Sequence, residues 1–314
     1  MRRKQMKKQK QVIIICSLCL LLCLCVGYAA FNTTLSIRAK GNVKKGPMTV
    51  EEFLSDVTLA DNGEDGLYFH DGTGSYINAS EEVGDDSYRY SGANPNNYVC
   101  FGTNTKPCPS NNMYRIIGIF DNKIKLIKNT AYSSNYWSGS STSSSNVWAN
   151  STLNTEILNN TFYNSLGEYK NMLALSTWSV GGINNGQRGT AKTVYDYEIG
   201  SSSLQVQYEA YVGLLYISDY GYAANPSAWS TPITAYTSEN IRNNNWLFSG
   251  GLEWTISRQS DSSSHAYFID GTGLVFGDEI LVYNIPIRPT FYLNDNIKVK
   301  PAKGSIDDPY YILE

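Results

Sequence analysis

The chain has 314 residues and a formal net charge of −3, with 25 Lys and Arg against 28 Asp and Glu. Charged residues make up only 17% and aromatic residues 13%, a composition that excludes disorder along the whole chain. Six basic residues lie within the first ten positions, so the rest of the chain carries 19 basic against 28 acidic side chains. This acidic balance excludes a general nucleic-acid binder.

An uncharged apolar stretch runs from Val12 to Ala30. As an α-helix, these residues rise about 28 Å, which is enough to cross the hydrocarbon core of a bilayer. The basic residues precede the stretch, which places the N-terminus inside the cell and everything after residue 30 outside. We therefore predict a cytoplasmic basic tail over 1–11, a single-pass membrane helix over 12–30 and an ectodomain at the cell membrane.

The same stretch also fits a cleavable signal segment. Gly27, Tyr28 and Ala29 form a small-x-small triplet that a signal peptidase can cut, and the protein would then be secreted. An anchored protein and a secreted protein both remain open at this point.

Two cysteines lie outside the apolar stretch, Cys100 and Cys108. An exported pair with no other partner is typical of a disulfide, here closing the short loop between them. A metal site would need two further ligands, and the two histidines, His70 and His265, are far away in the sequence. We predict a Cys100–Cys108 disulfide and neither metal nor cofactor.

A polar segment over 31–66 is predicted to be a stalk with one short helix. Thr49 followed by Glu52 is a capping-box pattern, and apolar residues come directly behind it. From Leu67 onward, short aromatic runs alternate with Gly, Asn and Asp clusters, a pattern typical of strands and turns. We therefore predict the main domain over 67–314.

The clearest hairpin in this domain has strands at 114–120 and 123–127. The intervening Asp121-Asn122 tolerates the positive φ angles of a two-residue turn. Three lysines, Lys123, Lys125 and Lys128, interrupt the apolar residues of the second strand, which predicts one solvated face.

Helix and strand signals are mixed in the rest of the domain. Apolar residues recur at helical spacing from Leu153 to Leu166, behind a Ser-Thr cap. The segment 211–217 and several runs after residue 245 predict strands. The expected fold class is α+β, with short antiparallel strands, one or two helices and long loops.

A set of motifs, in chain order, resembles an exported bacterial surface domain to which no function is assigned. The motifs are Tyr114-Arg-Ile-Ile-Gly-Ile, Lys-Leu-Ile127, Trp148 with Ser-Thr-Leu153, Leu214-Leu-Tyr-Ile-Ser218, Glu253-Trp-Thr-Ile-Ser257, Ala266-Tyr-Phe268 and Ile287-Arg-Pro-Thr-Phe-Tyr-Leu293. The family is similar to a divergent C-type-lectin-like, sulfatase-modifying-factor-like fold. The resemblance covers about residues 88–312.

This resemblance implies a lectin-like α+β domain whose long loops carry the function, and it implies no activity. Sulfatase-modifying enzymes use cysteines in the C-terminal part of the domain, and this chain has none after Cys108. The Glu-Pro-Asn or Gln-Pro-Asp triplet of calcium-dependent lectins is also absent from the sequence. Neither mechanism is carried over to this chain.

We predict no catalytic residues. His265 follows three serines, but no sequence pattern ties either His70 or His265 to a nucleophile. A polysaccharide hydrolase would need two convergent carboxylates, for which the candidates lie in apparent turns and strands. These candidates are Glu253, Asp261, Asp270, Asp278 and Glu279.

Aromatic residues in Ser- and Asn-rich loops are the most suggestive feature. Flat rings beside amide and hydroxyl groups can stack on sugars or anchor a protein partner. The candidate ligand-binding residues are Tyr136, Trp137, Trp148, Tyr220, Tyr222, Trp229 and Trp246. The sequence therefore favours a cell-surface protein that binds glycan or protein, with an extracellular polysaccharide hydrolase and a structural component of a surface assembly as alternatives.

Overall fold

A two-residue turn at Asp121 and Asn122 joins the two central strands of the largest sheet. Both residues have positive φ, 46° and 60°, as the sequence predicts for this hairpin. In the computed structural model the described residues are 45–61, 63–73, 81–139, 145–281 and 283–314. The predicted tail over 1–11 and the membrane or signal segment Val12 to Ala30 lie outside them. No helix within the described ranges is long and apolar enough to span a bilayer.

The strands of the described ranges are short. They are β1 (Gly66–His70), β2 (Ser87–Ser91), β3 (Tyr98–Cys100), β4 (Met113–Phe120), β5 (Lys123–Lys128), β6 (Ser133–Asn135), β7 (Ser176–Ser179), β8 (Gln207–Ala210), β9 (Val212–Gly213), β10 (Glu253–Arg258), β11 (His265–Ile269), β12 (Val275–Glu279), β13 (Ile285–Ile287), β14 (Thr290–Tyr292), β15 (Lys298–Lys300) and β16 (Tyr310–Leu313).

Helical segments lie between them. They are α1 (Val50–Asp56), a π-helix (Leu153–Phe162), α2 (Tyr163–Ser165), α3 (Ala191–Glu198), α4 (Ile217–Ala223) and α5 (Glu239–Asn243). Short 3₁₀ helices cover Ser110–Asn112, Trp148–Asn150, Gly167–Met172, Asn185–Gln187, Pro226–Ala228 and Ile233–Ala235. The helix predicted from Leu153 is confirmed, with a wider π-type turn over most of its length.

Nine strands form the main sheet, in the order β15-β16-β3-β4-β5-β14-β9, with β2 also paired to β4 and β1 to β2. All pairs are antiparallel except β16 with β3. Smaller sheets are formed by β10-β11-β12, by β13 with β6 and by β7 with β8. The α+β class is confirmed.

The main sheet is covered on both faces. Phe291 of β14 contacts Phe162 of the π-helix, with ring centroids 6.2 Å apart. The neighbouring residue, Tyr292, contacts Trp178 at 5.5 Å. Since successive strand residues point to opposite faces, the π-helix covers one face and the Trp178 segment covers the other.

The domain begins earlier than predicted. Helix α1 has the predicted Thr49–Glu52 capping box, but it is part of the domain and not of a stalk. Phe53 is fully buried and meets the Tyr310 ring edge-on, with centroids 5.1 Å apart. Met48 forms a β-bridge with Val299. The compact unit therefore starts at Lys45, and the boundary predicted at residue 67 is wrong because α1 buries its apolar face against the end of the chain.

The strand predicted over 211–217 is largely wrong. Only Val212–Gly213 is a strand, and α4 begins at Ile217. The Asp219 carboxylate accepts the backbone hydrogen bond of Tyr216, 2.8 Å away, and the Glu198 carboxylate accepts those of Ile217 and Ser218 at 3.0 and 2.9 Å. Two carboxylates thus satisfy the free amides of the first helical turn, which periodicity alone does not predict.

The predicted disulfide is present. Cys100 and Cys108 are bonded, with 5.8 Å between their Cα atoms. The bond fastens the loop that follows β3 in the centre of the main sheet.

Candidate binding pocket

Six of the seven aromatic residues proposed as ligand-binding are buried. Trp137, Trp148, Tyr220, Tyr222 and Trp229 are at most 1% exposed and Trp246 is 5% exposed, whereas Tyr136 is 44% exposed. The expectation of an exposed aromatic surface is therefore wrong for all but Tyr136. The Ser- and Asn-rich loops have few other apolar groups, so burial of their aromatic rings supplies most of the apolar contact that stabilises them.

The contacts of these rings are those of a core. Trp137 meets Trp148 with centroids 5.2 Å apart, and its Nε1 donates to the Thr255 carbonyl oxygen. Trp229 meets Tyr222 at 5.3 Å. The rings thus hold loops to the sheets.

A polar pocket of about 310 Å³ lies on the face of the main sheet that carries Tyr292. Its floor is a row of directly paired residues on four neighbouring strands. Arg89 on β2 is paired with Gly118 on β4, Gly118 with Lys125 on β5, and Lys125 with Tyr292 on β14. Residues that pair directly point to the same face, so this register brings Arg89 and Lys125 together.

Gly118 leaves the space between the two cations. A Cβ at this position would collide with the Tyr88 carbonyl oxygen and lie 3.0 Å from the Phe120 ring. The register also shifts between Ile116 and Gly118, a bulge that aligns Gly118 with Lys125.

Asp219 of α4 reaches this floor from above. Its Oδ2 lies 2.6 Å from Lys125 Nζ, and its Oδ1 lies 3.9 Å from Arg89 Nη1. Oδ1 has no hydrogen-bond partner among the described residues. Lys125 thus holds the carboxylate through Oδ2, while Oδ1, next to Arg89, can still accept a hydrogen bond.

Asp85 completes the charge cluster. Its Oδ2 accepts from Arg89 Nη2 at 2.6 Å, and its other oxygen bonds Ser87. Burial is the largest single effect and opposes ionisation of both partners, but the neighbouring charges and hydrogen bonds together outweigh it. The pKa of Asp85 is therefore lowered, and the pKa of Arg89 is raised by Asp85 together with Asp219.

Aromatic rings surround both cations. Lys125 Nζ lies 4.6 Å from the Tyr216 centroid and 5.3 Å from that of Tyr292. Arg89 Cζ lies 4.6 Å above Phe120 and 5.4 Å from Tyr195. Such contacts stabilise a cation that has lost water, and three of these rings, those of Phe120, Tyr195 and Tyr292, remain partly exposed along the pocket.

The mouth of the pocket is lined by uncharged polar groups. Thr177 and Ser179 come from β7, Gln207 from β8, and Ser203 and Gln205 from the segment between them. The remaining charge is Asp121 in the hairpin turn, so the lining holds three acidic and two basic side chains. None of its described lining residues is His or Cys. This arrangement can bind a polar ligand through rings, amides and paired charges.

The sequence prediction missed this pocket. Lys125 is 1% exposed and Lys128 is 7% exposed, so the predicted solvated face of β5 is wrong. Lys125 is buried because Asp219 neutralises it. The signal in the sequence that could have indicated the pocket is the presence of three lysines in an otherwise apolar strand. Asp219, the partner of Lys125, lies 94 positions away in the chain.

Other acidic candidates have structural partners. Glu253 forms a two-bond ion pair with Arg288, with both N–O distances at 2.7 Å. Asp270 Oδ1 accepts from the amides of Thr272 and Leu274 and so closes a turn. In the part of the chain that the structure describes, no cluster of three or more His, Cys, Asp or Glu residues is arranged to hold a metal ion.

Comparisons with family models, with curated proteins and with solved structures gave no match to this chain.

Proposed function

We propose that this protein is an extracytoplasmic binding protein that holds an uncharged sugar residue of a glycan in the pocket formed by Arg89, Lys125 and Asp219. The observation that carries the proposal is the combination of partly exposed rings with polar groups around two cations, Arg89 and Lys125, that are already paired with carboxylates. A sugar ring presents C–H groups to an aromatic face and hydroxyls to amides and charged groups, and it needs no net charge in its site.

The size of the pocket supports a small ligand. About 310 Å³ lies at the lower end of the range for ligand pockets, ~300–1,000 Å³. This volume suits the terminal residue of a chain better than a flat protein surface. A divergent lectin-like fold, anchored in the membrane through Val12 to Ala30 or secreted after cleavage, completes the proposal.

A glycan array with the full chain tests the binding. The protein is kept in a polyoxyethylene detergent because a maltoside would itself present sugar. The variants Thr177→Ala and Gln207→Ala remove rim groups without disturbing the core, and Thr237→Ala is the matched control at an exposed threonine outside the pocket.

We expect saturable binding of a neutral glycan that weakens about fivefold in each rim variant, since one hydrogen bond contributes about 1 kcal/mol. Binding should be unchanged in Thr237→Ala. An array without any bound glycan, or equal binding by all the variants, would contradict the proposed site. Release of new reducing ends from a bound glycan would instead indicate a hydrolase.

Fractionation of cells that carry a C-terminal tag tests the location. An anchored protein remains with the membranes at full-length mass, whereas a cleaved protein enters the medium about 3 kDa lighter, since a residue averages about 110 Da and cleavage near Ala29 removes the signal segment. Protein retained in the cytosol would contradict both forms of the proposal.

A further inference from the structure

A second pocket, of about 370 Å³, lies on the opposite face of the main sheet. Lys128 of β5 lines it, and Lys128 stands three positions after Lys125, so the two side chains point to opposite faces. Phe162 of the π-helix and Tyr132 form an apolar wall, with ring centroids 5.1 Å apart. This pocket is therefore separate from the proposed glycan site.

Lys128 is a buried cation without a carboxylate partner. Lys128 is only 7% exposed. Its Nζ donates a hydrogen bond to the carbonyl oxygen of Asn111. No carboxylate of the described residues lies within ion-pairing distance of this amine. Lys125 on the same strand, by contrast, has Asp219. Buried charges in proteins are normally paired, because an unpaired one loses its hydration without compensation.

The surroundings of the amine are those of an anion site. An ammonium group has three N–H donors, and the carbonyl oxygen of Asn111 uses one. The Tyr114 ring lies 5.1 Å from Nζ and closes one side. The described lining contains no acidic side chain, so Lys128 gives the pocket a net positive charge. Burial lowers the pKa of Lys128, and a bound anion would counteract that shift.

We propose that this pocket binds a small organic carboxylate, with Lys128 as the counter-ion and the wall of Phe162 and Tyr132 against the apolar part of the ligand. The pocket supplies one positive charge and an apolar wall, which matches a monocarboxylate better than a phosphate with two charges.

Fluorine NMR with 4-fluorobenzoate as the probe tests the site in the full chain. The neutral isostere 4-fluorobenzyl alcohol reports binding that needs no charge, including partition into detergent. Lys128→Met removes the charge and keeps the length of the side chain, and Lys123→Met is the matched control on the same strand, outside both pockets.

We expect saturable broadening of the benzoate signal by the wild type and by Lys123→Met. Affinity should fall at least about tenfold in Lys128→Met, because hydrogen bonds to charged groups contribute about 1.5–3 kcal/mol. The alcohol should bind at least about tenfold more weakly than benzoate. Equal benzoate affinity in Lys128→Met, or equal affinity for the alcohol, would overturn the proposal.

A measurement on the wild type keeps the test valid if Lys128→Met does not fold. Reductive methylation of lysines, followed by peptide mass spectrometry, reports the accessibility of each amine. Benzoate should slow methylation of Lys128 several-fold and leave the exposed Lys298 unchanged. Failure of benzoate to protect Lys128 selectively would overturn the proposal. Neither result depends on glycan binding, since the two pockets share no lining residue.

Discussion

Lys125 and Asp219, 94 positions apart in the chain, form an ion pair with 2.6 Å between Nζ and Oδ2. Both side chains are only 1% exposed. The same carboxylate oxygen accepts the backbone hydrogen bond of Tyr216 at the start of α4. One side chain thus neutralises a cation in the middle of the sheet and orders the helix that covers it.

We expect Lys125→Met to lower the free energy of unfolding by about 3 kcal/mol. The substitution leaves the buried Asp219 with only the more distant Arg89 as a cationic partner, and an uncompensated buried charge costs about 3–5 kcal/mol. Urea unfolding of the full chain measures the change. Lys192→Met, which breaks the partly exposed pair with Asp196, should cost less than about 0.5 kcal/mol. Equal costs for the two variants would show that burial of the Lys125 pair has no energetic effect.

Gly118→Ala should destabilise the protein by about 2 kcal/mol or more and weaken glycan binding. The added methyl group meets the Tyr88 carbonyl oxygen, which is backbone and cannot rotate away. Gly251→Ala is the control, because no atom lies within 4 Å of its Cβ position. Thermal unfolding and the glycan array measure the two effects. If the thermal unfolding midpoint of Gly118→Ala were unchanged, β2 and β4 would have to move apart at Gly118 without a loss of stability, which would contradict this prediction.

The adjacent residues Tyr136 and Trp137 should behave differently on truncation. Trp137→Ala removes a fully buried ring, and we expect a loss of about 3–5 kcal/mol in the free energy of unfolding. Tyr136→Ala, at a side chain that is 44% exposed, should cost less than about 1 kcal/mol. Loss of ligand binding with full stability in Trp137→Ala would restore this residue as a binding residue.

His70 should make stability depend on pH in the mildly acidic range. Burial, with a contribution from Arg89, lowers the pKa of His70 to about 3. The unfolded chain, with a pKa of about 6.5, therefore binds a proton between pH 6.5 and 3 that the folded chain does not. Stability must fall as the pH falls through this window, by about 2 kcal/mol between pH 7 and pH 5.

Urea unfolding at pH 7 and pH 5 measures this dependence. His70→Gln cannot take up the proton, so its loss of stability between the two pH values should be smaller by about 2 kcal/mol. The difference between the pH values is the readout, so a variant that is less stable at both still gives an answer. An identical pH dependence in His70→Gln would assign the effect to other groups.

Local patterns were sufficient for several elements. The Thr49–Glu52 capping box, the Asp121-Asn122 turn and the helix from Leu153 all depend on residues a few positions apart, and all three are present. The Cys100–Cys108 disulfide could be predicted because the sequence has no other cysteine outside the apolar stretch. These predictions succeeded because near neighbours in the chain determine them.

The candidate site could not be predicted in this way. Trp137 and Tyr136 are adjacent and lie in the same kind of loop, yet one is buried and the other exposed. From the sequence, Lys125 was interpreted as a solvated lysine, because no nearby residue indicates that it pairs with Asp219. The strand-like pattern over 211–217 did not reveal that α4 begins at Ile217. The carboxylates of Glu198 and Asp219 accept the backbone hydrogen bonds at the start of this helix, and such contacts are not visible in a local pattern.

The sequence by itself determined the acidic balance after residue 30, the α+β class, the hairpin and the disulfide pair, since these follow from counts and from short-range geometry. Only the tertiary structure decided which rings form the core, which lysines are buried and where Arg89, Lys125 and Asp219 meet. The physical reason is that burial and ion pairing depend on contacts between distant segments. A charged or aromatic side chain is stable in either environment until its partner is known.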